Sequence, residues 1–163
     1  MYKAMDIAQY VINYAIDLGK PVSNLKLQKL LYYIQAKFLI ENNNGCFEDD
    51  IENWRHGPVV TNVYDNFKKY GNQDIEEIQT GYRAFEIDDE FNFSYKKKKF
   101  KEENIELNDR ELIKEVVNNL IDKDAWELVK MTHEEDPWKN TERGDIITNE
   151  AIYNYFFLYD DVC

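Results

Sequence analysis

The sequence has few of the residues on which several common protein classes depend. Its two cysteines, Cys46 and Cys163, cannot make a disulfide framework in 163 residues, so we expect a reducing compartment. Its six glycines are scattered, and no glycine-rich phosphate-binding loop is present. Neither a signal peptide nor an apolar run of membrane-spanning length is found. These absences predict a cytoplasmic protein without a membrane partner.

Histidine is also scarce, with only His56 and His133. His133 and Glu134 begin like a zinc-protease helix motif, but Pro137 stands where the second histidine is needed. Three well-spaced metal ligands are not evident, so we expect no catalytic zinc and no cofactor. Cys46 could be a nucleophile with His56 as its base, but it lies in a polar turn without an orienting group, which favours a spectator role. The residues therefore favour a non-catalytic protein.

Positive charge is in short supply, because 20 basic residues face 32 acidic ones and the formal net charge is −12. Nucleic acid and the anionic face of a membrane both repel such a protein, so we do not expect a nucleic-acid partner. The charge instead favours a basic protein partner, or simply an acidic and soluble surface. The sequence leaves both interpretations open.

Hydrophobic periodicity predicts a mainly α protein. We expect one domain, residues 1–163, folded as a helical bundle around a buried central helix at about 24–41. That helix is apolar on two opposed faces, which is typical of the middle of a bundle, and Ser23 is its expected cap. Lys29 falls inside one apolar face. We expect it either to reach solvent or to pair with a carboxylate or a main-chain carbonyl.

The remaining pattern predicts further helices and their ends. Gly57 permits an unusual backbone angle, and Pro58 suits the first turn of a helix that runs to about residue 70. Capping boxes are predicted at residues 108–111 and 124–127, and Thr148 is an expected cap. The predicted segments are a first helix at about 6–18, a helix from 108 with an apolar stripe to 121, a shorter helix to about 131, a loop through 132–138 and a last helix at about 149–159.

The middle segment, about 72–108, is charged and differs from the rest. Alternating aromatic residues predict a small β-hairpin in the 80–100 region, with 82–87 pairing across a turn at 88–90. A basic run follows, made of Lys96, Lys97, Lys98, Lys99 and Lys101. It is interpreted either as a solvated edge that discourages sheet aggregation or as a patch for phosphate or an acidic partner.

Two segments supply the candidate partner-binding residues. Arg, Trp and Tyr are frequent at energetically dominant interface positions, and several lie in these segments. The alternative is a structural role: Trp54 would anchor the core and His56 would bond a loop carbonyl. The candidates are Lys26, Gln28, Lys29 and Tyr33 from the central helix, and Trp54, Arg55, His56 and Tyr64 from the second segment.

Three motifs resemble those of a known family. They are the run at 25–33 (LKLQKLLYY), the run at 54–60 (WRHGPVV) with Val63 and Tyr64, and the stretch from Thr132 and His133 to Pro137 and Trp138. Together they resemble the Panacea or SocA-type antitoxin domain, which phage-associated proteins of the GepA kind share. The resemblance covers nearly the whole chain and is weakest in the middle segment.

The resemblance implies a mostly helical antitoxin that neutralises a cognate toxin by direct binding. Some members are thought to pass the toxin to an energy-dependent cellular protease, and many carry an added segment that chooses the toxin. This chain reads as the core domain alone, and its oligomeric state is left open. No catalytic residue is implied.

Two alternatives remain beside the antitoxin. The first is a phage-encoded, non-catalytic regulator or inhibitor of a host protein, which could mimic the charge of DNA if carboxylates formed two spaced rows. The second, less favoured, is an enzyme of unknown type. A cleft that joined His56, His133 and a carboxylate would support the enzyme.

Overall fold

A computed structural model describes residues 1–87 and 93–159 of the chain, so the turn predicted at 88–90 and Cys163 lie outside the described residues. The helices are α1 Ala4–Asp17, α2 Asn24–Asn42, α3 Thr61–Phe67, α4 Leu107–Leu120, α5 Ala125–Glu134, α6 Asp136–Lys139 and α7 Asn149–Tyr159. The strands are β1 Val22–Ser23, β2 Glu52–Trp54, β3 Gly57–Val59, β4 Asp74–Ile75, β5 Gly81–Ile87 and β6 Phe93–Lys99. Two 3₁₀ turns span Lys68–Tyr70 and Glu102–Asn104. The predicted mainly α class is confirmed.

The central helix of the bundle is α2. Its N-terminus is capped as predicted, because the Ser23 hydroxyl accepts the Lys26 N–H at 3.3 Å. It ends at Asn42, and the capping residue that follows, Asn43, has a left-handed φ of 51°. Its surroundings are α1, α3, α4, α5 and α7, which cover it so fully that Gln28 and Gln35 are buried with the apolar side chains. No helix among the described residues is long and apolar enough to cross a bilayer.

The strands form three antiparallel pairs, β1 with β4, β2 with β3 and β5 with β6. The predicted hairpin in the 80–100 region is therefore confirmed. It is longer than expected, because the lysine run at 96–99 forms part of β6 instead of following it. In its register Arg83 lies opposite Lys97, and Tyr82 lies opposite Lys98.

The structure corrects the expected role of Pro58. It does not begin a helix but lies in β3, opposite Asn53 of β2, and α3 starts only at Thr61. The turn that joins β2 to β3 consists of Arg55 and His56. Proline is acceptable in this two-stranded pair because its missing N–H can face away from the partner strand.

One of the two predicted capping boxes is wrong. The helix α4 begins at Leu107, after Glu106, and has no side-chain cap. Glu111, the expected partner of the box, instead pairs with Lys114 at 2.9 Å. The second box is confirmed, since Asp124 and Glu127 make reciprocal bonds at the start of α5.

The last part of the chain contains more helix than the sequence predicts. The predicted loop at 132–138 is wrong: Thr132 and His133 belong to the last turn of α5, and Pro137 sits in the first turn of α6. The final helix matches its prediction, and the Thr148 hydroxyl accepts the Ala151 N–H at 3.1 Å.

Candidate protein-binding cleft

The hairpin of β2 and β3 is fastened to α2 by two buried polar side chains. The Lys29 ammonium donates to the Pro58 carbonyl at 2.9 Å. The Gln28 carboxamide oxygen accepts the Val60 N–H at 2.9 Å. Neither side chain reaches solvent, with exposures of 0% for Lys29 and 1% for Gln28. The two side chains therefore satisfy backbone groups of the hairpin that would otherwise be buried without a partner.

Gly57 allows the hairpin to approach α2 this closely. Its φ is +100°, a conformation that residues with a side chain rarely adopt. A Cβ at this position would lie 2.6 Å from Lys29 Cε and 2.7 Å from Thr132 Oγ1. The sequence Gly57 and Pro58 therefore brings bare backbone into contact with a buried lysine.

The motif around His133 and Trp138 supports the hairpin from the other side. The Trp138 indole N–H donates to the Trp54 carbonyl at 3.0 Å, and its ring stacks on His133 with the centroids 3.9 Å apart. The Asn53 amide donates to the Trp138 and Thr141 carbonyls, both at 2.7 Å. These contacts fix the position of Arg55 and His56, which the hairpin turn presents.

A cleft of about 360 Å³ lies between the start of α2, the hairpin, α3 and the start of α5. Its walls are aromatic: the rings of Trp54 and Tyr64 are 4.9 Å apart, and His56 meets Trp126 edge-on at 5.2 Å. Arg55 and Lys68 supply positive charge to the lining, His56 does so when protonated, and no lining residue is acidic. The remaining lining residues are Asn24, Leu25, Gln28, Val59, Gly71 and Asn72.

Five of the eight predicted site residues line this cleft, namely Gln28, Trp54, Arg55, His56 and Tyr64. Among these five, Gln28 is buried, whereas Arg55 and His56 are exposed. The other three predicted residues, Lys26, Lys29 and Tyr33, do not line it.

The three displaced residues have internal contacts. Lys29 and Tyr33 are fully buried, so neither can touch a partner in this conformation. The Tyr33 hydroxyl donates to the Glu135 carboxylate at 2.7 Å. Lys26 is half-buried and donates to the Ile121 carbonyl at 2.6 Å, at the C-terminal end of α4, where a cation is favourable.

Trp126 is an aromatic residue of the cleft that the sequence reasoning missed. It is 60% exposed although it is a large aromatic residue. The signal was present: the Asp124 cap places Trp126 in the first turn of α5, off the buried stripe formed by Leu128, Val129 and Thr132. An exposed tryptophan outside the apolar stripe of its helix is a candidate contact residue.

Comparison with known proteins identifies the family. Residues 27–139, which include the hairpin and most of the cleft, match the family model described as antitoxin SocA-like, Panacea domain. The chain belongs to this family. It is also similar to antitoxin SocA of Caulobacter vibrioides, with 37% identity over 68 residues that cover 42% of this chain and 36% of that protein. The match therefore spans little more than a third of that relative, and no solved structure matches the chain.

Burial shifts the pKa of several ionisable groups in this Panacea domain, and Lys29, Glu135 and His133 are among them. It lowers the pKa of Lys29 to about 7. It raises the pKa of Glu135 to about 7, although the Tyr33 hydroxyl acts in the opposite direction. It also lowers the pKa of His133, with smaller contributions from the positive charges of Lys29 and His56. In each case the low-polarity surroundings disfavour the charged form.

These groups do not make a reaction centre that the cleft could serve. His56 lines the cleft, but His133 and Glu135 do not. Lys29 has no contact with solvent through which a substrate could reach it. Among residues 1–87 and 93–159, no group of three histidine, cysteine or carboxylate side chains is arranged to hold a metal. The cleft itself has aromatic walls, with Arg55 and Lys68 among its lining residues.

Replacing Gln28 tests how the Panacea domain holds its hairpin. We expect Gln28→Leu to lower the free energy of unfolding by about 1–3 kcal/mol, because the buried Val60 N–H loses its acceptor. Urea denaturation measures the change. Gln73→Leu, at an exposed position, serves as the control and should change stability by less than about 0.5 kcal/mol. Equal effects of the two variants would contradict the role of Gln28.

Proposed function

We propose that this chain is an antitoxin that neutralises a cognate toxin by direct, non-catalytic binding, and that the aromatic cleft is the centre of the contact. Membership of the antitoxin SocA-like family supports the role. The composition of the cleft supports the site, because Trp, Tyr and Arg dominate the binding energy of protein interfaces. Catalysis is not needed for this function.

Charge supports a basic toxin that inserts an apolar segment. The net charge of −12 attracts a basic partner over long range and raises its rate of association at low salt. At short range the cleft offers aromatic rings flanked by Arg55 and Lys68. A toxin segment with a large apolar side chain next to a carboxylate or a free carbonyl would match both features.

Occlusion is the simplest mechanism. An interface of roughly 800 Å² per partner is enough to cover the active site of a small protein, and the cleft would anchor its centre. Delivery of the toxin to a cellular protease, which the family resemblance also implies, needs a further surface for that protease. We therefore propose occlusion in the cytoplasm as the primary action, with delivery as a separate step.

Growth rescue tests the proposal. The chain is expressed together with the product of the adjacent gene, which is the expected toxin. We expect the chain to restore the growth that this toxin prevents. Trp126→Ala should weaken binding by roughly 30-fold, about 2 kcal/mol, because an exposed aromatic anchor is lost. Arg55→Glu with Trp126→Ala should abolish rescue. Calorimetry with the purified proteins measures the affinity.

The control is Phe157→Ala, which removes an aromatic side chain of similar exposure, 62%, from α7. It should rescue growth as the unchanged chain does, and all variants should melt within a few degrees of it. The toxin's half-life in the cell distinguishes occlusion, which leaves it unchanged, from delivery to a protease, which shortens it. If the neighbouring product is harmless, or if Arg55→Glu with Trp126→Ala still rescues, the proposal is wrong.

A further inference from the structure

The hairpin of β5 and β6 concentrates positive charge on a protein whose net charge is −12. The lysines at 96–99 are all exposed, and so is Arg83. The register places Arg83 directly opposite Lys97. Like charges in opposed positions of antiparallel strands destabilise the pair. Within residues 1–87 and 93–159, neither Arg83 nor Lys97 forms an ion pair that would relieve this repulsion.

A second observation is that Arg83 and Lys97 line a recess together with a third cation, Lys69. The recess has a volume of about 300 Å³ and lies between the hairpin, α3 and the following 3₁₀ turn. Lys69, Arg83 and Lys97 line it from three separate segments, and none of its lining residues is acidic. A recess that is lined by three cations and no anion, in a protein that is otherwise acidic, favours an anionic occupant.

The hairpin also has backbone groups to offer. Among the described residues β5 and β6 pair only with each other, so the outer edge of each strand is unpaired. An extended peptide can add to such an edge through main-chain hydrogen bonds, while alternate side chains reach one face of the sheet. A polynucleotide has no equivalent hydrogen-bond pattern.

Charge at longer range argues against nucleic acid as the occupant. A polyanion extends beyond the recess and would be repelled by the remaining surface of an acidic protein. A short acidic segment senses only the local cations, because salt screens charges beyond roughly 8–10 Å.

We propose that this face of the hairpin, with Lys69, Arg83 and Lys97 around the recess, binds an extended acidic segment of a protein partner. This surface is distinct from the aromatic cleft: Lys68 lines the cleft, whereas Lys69 lines the recess. The proposal is independent of the toxin contact, and it gives the chain a second docking surface. The segment's carboxylates pair with the three cations, and its backbone extends along the strand edge.

Fluorescence anisotropy tests the proposal with a labelled ten-residue peptide of alternating Glu and Val, and with the same peptide carrying Gln for Glu. We expect the acidic peptide to bind and the neutral one to bind at least tenfold more weakly. The double variant Arg83→Glu with Lys97→Glu should bind the acidic peptide at least tenfold more weakly than the unchanged protein does. The matched control, Lys123→Glu with Lys130→Glu, also lowers the net charge from −12 to −16 but lies away from the recess.

A stability measurement separates binding from a purely structural role. Lys97→Glu alone turns the like-charged pair of Arg83 and Lys97 into an oppositely charged pair, so it should raise Tm by about 1–2 °C. The same variant should bind the acidic peptide more weakly. Equal binding of the two peptides, or equal loss in the two double variants, would overturn the proposal. Tighter binding of a single-stranded oligonucleotide or of inorganic phosphate than of the acidic peptide would also overturn it.

Discussion

Gly57→Ala is expected to lower the free energy of unfolding by about 4 kcal/mol, through two causes that add. The first cause is the backbone, because a φ of +100° strains any residue with a Cβ by about 1–3 kcal/mol. The second cause is overpacking, since the new methyl would lie 2.6 Å from Lys29 Cε and 2.7 Å from Thr132 Oγ1. Overpacking a well-filled site typically adds about 1–3 kcal/mol.

Neither neighbour can move away without a loss. Lys29 is fully buried, and its ammonium is bonded to the Pro58 carbonyl. The Thr132 hydroxyl is buried as well and donates to the Val129 carbonyl at 2.9 Å. The hairpin would instead have to lift from α2, which would also displace Arg55 and His56 from the cleft.

Gly144→Ala is the matched control. Gly144 has a similar φ of +92°, but a Cβ there would meet nothing within 4 Å. It should therefore cost only the backbone strain, about 2 kcal/mol. Urea denaturation of both variants isolates the steric contact as the difference between them. Equal losses would show that the hairpin does not press on Lys29 and Thr132.

Lys29→Met is expected to change how stability depends on pH. Burial holds the pKa of folded Lys29 near 7, below its unfolded value of 10.5. Between these values the unfolded chain binds more protons, so the stability of the unchanged protein rises with pH through this window. Below pH 7 the full cost of burying the charge is present. Methionine has a similar shape and does not incur this cost.

The expected result is a difference that shrinks with pH. The difference in free energy of unfolding between Lys29→Met and the unchanged protein should shrink by about 3 kcal/mol between pH 7 and pH 9.5. This follows because each pKa unit corresponds to 1.36 kcal/mol. The lost bond to the Pro58 carbonyl offsets part of the advantage at every pH. Glu135 acts in another window. Because its pKa is raised on folding, stability falls as the pH rises from 4.5 to about 7.

Urea denaturation at pH 6, 7, 8, 9 and 9.5 measures the difference. Lys130→Met, on the exposed side of α5, controls for the loss of a lysine. A constant difference between Lys29→Met and the unchanged protein over this range would show that the Lys29 ammonium is not desolvated as the structure requires.

Local features of the sequence predicted those elements that depend on a few neighbouring residues. The bounds of α2, its Ser23 cap, the box at Asp124 and the hairpin in the 80–100 region all follow from such patterns. The same reasoning failed where two local solutions compete. Pro58 suits the start of a helix and a strand position that donates no hydrogen bond, and in the fold it lies opposite Asn53 with its carbonyl bonded to Lys29.

Sequence alone determined the helical class, the likeness to a family of antitoxins and five of the residues that line the cleft. It also placed Lys29 on an apolar face, where the side chain had either to reach solvent or to find a partner. Which partner it has, and which side chains meet at the cleft, was decided by tertiary structure. Trp126 contacts His56 from 70 positions away in the chain, and Lys29 meets a carbonyl from another element. Periodicity and capping act within one element, whereas such contacts depend on how the elements pack.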